Sequence, residues 1–277
     1  MADNTVTQTL YNNEWTAAYE QKKSWLRGIV TTQGDIRGDQ FIFVIEGIAD
    51  EATERGANGL IPYAADDQGS ETCVLKEYHH LVRKRKFKVV SSSVPQRMSM
   101  QNRGVVSMNK KTDNLILTEL STTTNQTNSG TGAAATLALM LQAITILNVN
   151  HVPDDGERYG LLTPYAWAQM MRVQQFTSSD YVPDRPFMRQ VQWRSWMGVK
   201  WAMHSNLIGK DTDSAECPVF HRAAIGHGLN QGEMMTEIGE NREQDYFWAR
   251  SSSYQGAKAL QLEGIVTMVH DDTAAFS

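Results

Sequence analysis

Residues 147–171 read LNVNHVPDDGERYGLLTPYAWAQMM, and the stretch poses a choice. His151, Asp154, Asp155 and Glu157 fall within seven positions, close enough to suggest a metal or acid–base site. The same text is also punctuation. Pro153-Asp154-Asp155-Gly156 is a turn sequence, Arg158–Leu162 reads as a strand, and Thr163-Pro164 offers a capping hydroxyl followed by a proline at the first helical position. Turn side chains point toward solvent by default, so convergence on one ion is not expected. The stretch reads as helix, turn, strand and helix, the last with Trp167, Met170 and Met171 on its apolar face.

Working outward, the helix before the turn carries Leu137, Met140, Leu141, Ile144 and Leu147 at the spacing of one buried stripe. Thr136, Gln142 and Thr145 interrupt its apolar run, which is short for a membrane span, so the reading is a core helix. Upstream, residues 121–132 (STTTNQTNSGTG) form a polar loop with no apolar anchor. Before that loop Met98, Val105, Met108, Leu115 and Leu120 predict a long helix, despite Gly104.

Residues 34–48 use strand vocabulary between glycines and predict one arm of a hairpin. The segment after them, ADEATERGANGLIPYAADDQGSE, has no sustained period, and CVLKEYHHLVRKRKFKVVSSSV again looks extended. So long an excursion lacks a core to offset its ordering entropy, which points to a surface completed by another subunit. At the start, EWTAAYEQKKSW places Trp15, Ala18, Tyr19 and Lys22 on one side of a short helix. The last third, from GVKWAMHS to LEGIVTMVH, is mostly β.

Composition removes several function classes. With 41% hydrophobic and 21% charged residues the chain folds rather than staying disordered, and its net charge of −5 gives no general attraction to nucleic acid or anionic membrane. Cys73 and Cys217 stand far apart without ligand spacing, which argues against a disulfide scaffold or zinc module. The N-terminus has no secretion signal pattern. No nucleophile elbow, phosphate loop or zinc-protease motif occurs. His221 and His227, six apart in one expected strand, share a face but have no carboxylate between them. His79 and His80 are neighbours that face opposite ways, and the basic run Arg83–Lys88 (RKRKFK) suits a subunit contact or a solvated strand. The seven Trp and thirteen Met are read as packing.

The order of these pieces resembles the major capsid proteins of tailed bacteriophages with the Hong Kong 97-like fold. The resemblance rests on an aromatic arm, a long hairpin excursion, a long helix, a polar loop, a helix, and the NVNHVPDDGERYGLLTP text; SWMGVKWAMHSNL and the closing Val/Ile-rich strand extend it over nearly the whole chain. It implies an α+β fold with an N-terminal arm (1–33), an E-loop (34–80), a peripheral domain (81–129 and 256–277, spine helix about 96–123) and an axial domain (130–255). It also implies a self-assembling icosahedral shell of hexamers and pentamers around packaged DNA, bound without sequence specificity. Expected helpers are a separate scaffolding protein, a portal and a possible decoration protein, with assembly in the bacterial host cytoplasm and residence in the virion. No catalytic residue, metal, cofactor or membrane is implied, and locking is expected to be noncovalent. Trp15, Trp25, Arg55, Tyr63, Asp66 and Asp67 are the expected assembly contacts. Two alternatives stand beside this reading: an encapsulin-like shell protein, and an enzyme using His221 and His227 with Glu233 or Glu237.

Overall fold

A computed structural model describes residues 23–34, 36, 38–47, 51, 52, 54, 55, 59, 68–90, 96–130, 132–177 and 193–274. After a 3-10 turn at Leu26–Gly28 come strands β1 (Thr31–Gln33), β2 (Gln40–Glu46), β3 (Gln68–Val74) and β4 (Lys76–Arg85). Helices α1 (Lys86–Val90) and α2 (Gln96–Leu120) follow, then β5 (Gln126–Asn128), α3 (Leu137–Val149) and β6 (Arg158–Leu162). Two helices, α4 (Pro164–Met170) and α5 (Gln174–Thr177), precede strands β7 (Arg194–Trp196), β8 (Val199–Met203), β9 (Ala215–His221), β10 (Ile225–Asn241), β11 (Tyr246–Ala259) and β12 (Ile265–His270).

These strands make two main sheets and one ribbon. A four-stranded sheet has the order β1-β10-β11-β4, a six-stranded sheet the order β5-β12-β9-β6-β8-β7, and β2 pairs with β3 alone. The long helix α2 lies on the four-stranded sheet, while α3 packs on β12 and β5. The C-terminal end of α2, through Ile116, Leu117 and Leu120, enters the same apolar core as α3 and the six-stranded sheet.

Helix α3 follows from its sequence: Thr136 is the N-cap, its hydroxyl accepting from the Leu139 amide, and Met140, Ile144 and Leu147 are buried. Leu141, expected in that stripe, faces outward, while Leu139 and Ala143 complete the buried side. The strand RYGLL is buried along its whole length because β8 and β9 flank it on both edges within a covered sheet. Gly160 is required there, since a Cβ at that position would stand 2.4 Å from the buried Trp201 ring.

Several expectations need correction. Met98 and Val105 are 60% and 48% exposed; α2 instead buries Met100, Gly104, Met108, Thr112, Ile116 and Leu120. The polar loop 121–132 contains β5, whose backbone pairs in parallel with β12 and whose Thr127 is buried, so ladder bonds supply the anchor that apolar side chains do not. RKRKFKVV is extended only through Arg85, and residues 86–90 turn helical. Residues 225–255, grouped above with the axial domain, belong to β10 and β11 beneath α2, whereas β12, grouped with α2, lies inside the six-stranded sheet. Hydrogen-bonded pairing overrides order along the chain in both cases. Most of the expected arm helix and much of the expected E-loop lie outside the described residues.

The crossing of α2 over β11 is set by Gly104. A Cβ there would come within 2.1 Å of Ser251 Oγ and 3.0 Å of its Cβ. Gly104→Ala should therefore lower stability by roughly 1–2 kcal/mol, the overlap outweighing the ~1 kcal/mol that alanine gains in a helix. Adding Ser251→Gly should restore the loss, as read from urea midpoints of the unassembled chain.

Candidate assembly interface

The opening stretch is a structural junction. The end of α3 closes with two reversed hydrogen bonds, Val152 N–H to Leu147 O at 3.0 Å and His151 N–H to Asn148 O at 3.1 Å, with His151 held in the left-handed region at φ 56°. This is the Schellman arrangement, with a histidine where glycine is usual. Arg158, at the first position of β6 and 2% exposed, then donates into the turn. Its Nε reaches Pro153 O at 2.9 Å, Nη1 reaches Asn148 Oδ1 at 2.8 Å, and Nη2 bonds Val152 O. A guanidinium suits this place, with donors for three acceptors and a positive charge beside the negative end of α3.

The four residues that raised the metal question diverge. His151 serves as the helix-terminating residue and is exposed. Asp154 sits against Gly198, Asp155 accepts from the Glu157 amide and contacts His221 Nε2 at 3.2 Å, and Glu157 accepts from Tyr159 Oη at 3.0 Å. The Glu157 amide, with His221 beside it, holds the Asp155 carboxyl below the usual carboxylate range. Among the described residues no group of three His, Cys, Asp or Glu side chains is placed to hold a metal ion.

The acid–base alternative separates in the same way. His221 and His227 do not share a strand face, because the 3-10 turn Arg222–Ala224 falls between them and sends one into the six-stranded sheet and the other into the four-stranded sheet. Glu237 lies further along β10 and pairs with Arg250 at 2.8 Å; the Glu233 side chain is outside the described residues. His227 is fully buried, with Nε2 3.4 Å from Gln255 Oε1, which also accepts from Thr112 Oγ1 of α2 at 2.7 Å. Burial pushes its pKa down to about 4. His79 and His80 do face opposite ways: His79 meets Ser252 Oγ at 2.8 Å and Glu77, while His80 lies toward Gly104.

Two buried clusters went unread in the sequence. Thr163, His270 and Asp272 have the composition of a hydrolase triad, with Thr163 Oγ1 to Asp272 Oδ1 at 2.6 Å and His270 Nε2 at 2.8 Å from the same oxygen. Thr163 Oγ1, however, donates directly to the carboxylate and accepts from the Ala166 amide, so it is a helix cap rather than a nucleophile. Nearby Cys217 is pushed by burial up to about 12, which leaves it an inert thiol. The second cluster is at Asp113 of α2, which accepts from Ser24 Oγ at 2.5 Å and the Leu26 amide at 3.3 Å, fixing the start of the 3-10 turn. Trp25 packs edge-on against His204 at 6.1 Å, between ring centroids. Side-chain capping across eighty-odd residues leaves no local sequence signal.

Of the expected contact residues, Trp25 is thus half-buried within its own chain, and Arg55 turns back to donate from Nε to Gly59 O at 3.1 Å. Trp15, Tyr63, Asp66 and Asp67 lie outside the described residues. The surface that stands open is the β2–β3 ribbon. Its inner face packs Phe43 against Gly226 and Cys73 against Gly228 and Gly256, while its outer face leaves Ile42 57% and Val44 72% exposed, beside Val74. Phe87, Met98 and Val105 are also exposed. Such surfaces suit partners better than solvent.

The sequence profile described as phage capsid protein matches residues 3–272. The chain belongs to the phage capsid protein family. Solved structures similar to it include one of Mycobacterium phage Che8 (TM-score 0.75, 15% identity, covering 99% of this chain and 100% of that one). The head of Helicobacter pylori bacteriophage KHP40 matches with TM-score 0.73 at 12% identity (97% and 96% covered), and the capsid of Ralstonia phage GP4 with 0.71 at 11% (96% of each). Among curated proteins none matches by sequence. At these identities the structures speak for the fold, which is the Hong Kong 97-like one expected, and the family match makes this a structural protein of the virion. No helix among the described residues is long and apolar enough to cross a membrane.

Two outcomes follow for this capsid protein. Arg158→Met should cost about 2–4 kcal/mol in urea unfolding, because buried acceptors lose their donor, and Arg158→Lys should not rescue it, since one ammonium cannot match the three-nitrogen fork. For His227, the folded chain resists protonation until about pH 4 whereas an unfolded histidine titrates near 6.5. The unfolded state therefore binds the proton first, and stability falls as pH drops from 6.5 to 4, by up to ~3 kcal/mol for this group. His227→Gln should flatten that part of the decline, measured as the difference in urea midpoints between pH 7 and pH 4.

Proposed function

We propose that this capsid protein tiles, as hexamers and pentamers, the icosahedral head of a tailed double-stranded DNA phage, assembling in the host cytoplasm with a separate scaffolding protein around a portal. Packaged DNA is held without sequence readout, in keeping with the net charge of −5. The four-stranded sheet with α2 takes the part of the peripheral domain, the six-stranded sheet with α3 and α4 that of the axial domain, and β2–β3 forms the base of the E-loop. The observation that carries the proposal is the ribbon itself: two strands, apolar on both faces, with Ile42 and Val44 left open to solvent. With its inner face already packed on the four-stranded sheet, the ribbon's outer apolar side chains gain from a further surface.

Contacts spread over extended arms add up, since each interface of ordinary size buries on the order of 1,600 Å² and an arm can cross several neighbours. Trp15, Trp25, Tyr63, Asp66 and Asp67 are proposed contact residues, joined by Ile42, Val44, Phe87 and Met98. Arg55 acts within its own loop. The match to a phage capsid profile favours this reading over an encapsulin-like compartment.

Strand register supplies a clean test, because Glu46 pairs with Gln68 and a two-residue turn can join them. Replacing residues 47–67 with Asn-Gly should leave the circular dichroism and melting of the unassembled chain nearly unchanged and abolish shells in negative-stain images of protein expressed with its scaffold. Intact shells from that variant would remove the proposal's main support.

A further inference from the structure

A cleft of about 1130 Å³ opens where the base of the β2–β3 ribbon meets the six-stranded core. Its walls are the end of β2, the last turn of α2, the turn after α3, and the 3-10 turn Leu262–Gly264 with the residues leading into it. A groove of this size at the meeting of separately packed elements is where ligands and peptide segments are accommodated. Nothing in the packing of the chain itself fills it.

The chemistry of the cleft is one-sided. Carboxylates reach it from four elements: Glu46 of β2, Glu71 of β3, Glu119 of α2 and Glu263 of the 3-10 turn. The cationic groups that share the lining are already engaged, Lys258 with Glu71 at 3.5 Å and His221 with Asp155 at 3.2 Å. Glu119 accepts from the Ala259 amide at 3.3 Å, while Glu46 and Glu263 are exposed and have no ion pair among the described residues. The same walls carry Ile45, Val152, Leu260 and Leu262, the last 44% exposed. Apolar side chains beside unpaired carboxylates are the complement of an amphipathic helix whose polar face is lysine or arginine. A helix about 10–12 Å across, rising 5.4 Å per turn, occupies on the order of 500 Å³ per turn, so the cleft takes about two turns.

Charge decides who supplies that helix. Each copy of this chain carries a net charge of −5, and its surface cations are committed at home: Lys86 to Glu240, Arg250 to Glu237, Lys200 to Glu157, and Arg83 over the Tyr246 ring. Bringing copies together concentrates like charge, whereas a cationic partner is drawn to the cleft and offsets it.

We propose that this cleft is the docking groove for a basic amphipathic helix, about two turns long, of a separate partner protein. The proposal rests on the shell-forming function above in that it gives an assembly helper its surface. Because the groove is walled by both the ribbon and the core, its occupant also fixes the angle at which the ribbon leaves the body.

Binding to the full, unassembled chain tests it, with a labelled peptide of two LKKLLKL heptads as the probe. Fluorescence anisotropy should show saturable binding, lost when glutamate replaces every lysine of the peptide. Glu46→Lys with Glu263→Lys should weaken binding about tenfold, since each reversal turns attraction into repulsion. Asp213→Lys with Glu243→Lys, an equal change in net charge at exposed positions outside the cleft, should leave affinity within about twofold. No saturable binding, or equal weakening by both pairs, would overturn the groove. Should the cleft variant damage folding, hydrogen exchange of the unmodified chain stands in: bound peptide should protect residues 40–46 and 258–264 and leave 236–250 unchanged, and protection confined elsewhere would overturn it. A photoreactive side chain at position 262 that joins copy to copy in shells would hand the cleft to a second copy and sink the proposal. Failure of the unmodified chain to form shells in cells, with the peptide bound as expected, would count against the function and not against the groove.

Discussion

The architecture turns on one buried guanidinium. Arg158 has no carboxylate among its described partners; its fork is spent on Asn148 Oδ1 and the carbonyls of Val152 and Pro153, all in the turn that follows α3. Without those donors the chain leaving the helix would carry unpaired acceptors into the interior. With them, α3 stops, the turn doubles back, and β6 enters the centre of a six-stranded sheet where every one of its residues is buried. Asp155 then meets His221 of β9 across the same turn, and Thr163, at the far end of β6, caps α4 while holding Asp272. One short segment thereby positions two helices, the central strand and the chain's closing residues.

Against that rigid body the four-stranded sheet is a different kind of object. It is long, it is covered on one side by α2, and it joins the main core through the helix's last turns, the start of the described chain and the ends of β10 and β11 at Ile225 and Ala259. Its contacts with α2 are close and partly polar: Gly104 on Ser251, Thr112 on Gln255, Ser253 on Met108. Small side chains let the helix axis approach, and the hydrogen bonds choose its register. The β2–β3 ribbon extends from this sheet with apolar side chains on both faces, a distribution that makes sense for a tile and little sense for an isolated molecule.

Much of this was legible in the residues. The α3–turn–β6–α4 sequence is written in local chemistry: a threonine cap, 3.6-residue spacing, a Pro/Asp/Gly turn, then Thr-Pro. The β2–β3 hairpin and the β-rich final third were likewise readable, and the order of pieces led to the correct family. Failures share a cause. Met98 and Val105 fit helical spacing yet face outward, because which stripe of a mixed helix is buried depends on what it meets, and here it meets Ser251 and Gln255. The sheet membership of β10, β11 and β12, and the separation of His221 from His227 by one 3-10 turn, depend on pairing with distant strands.

The candidate contacts divide along the same line. The sequence by itself determined composition, charge segregation and the local punctuation of the chain, because caps, turns and hydrophobic periods act over a few residues. Only the tertiary structure decided that Asp113 holds Ser24 and Leu26, that the Thr163 cap also holds Asp272, and that His221 and His227 enter different sheets. Those are distances between residues remote along the chain, and distance in space is what hydrogen-bonded pairing and core packing alone settle.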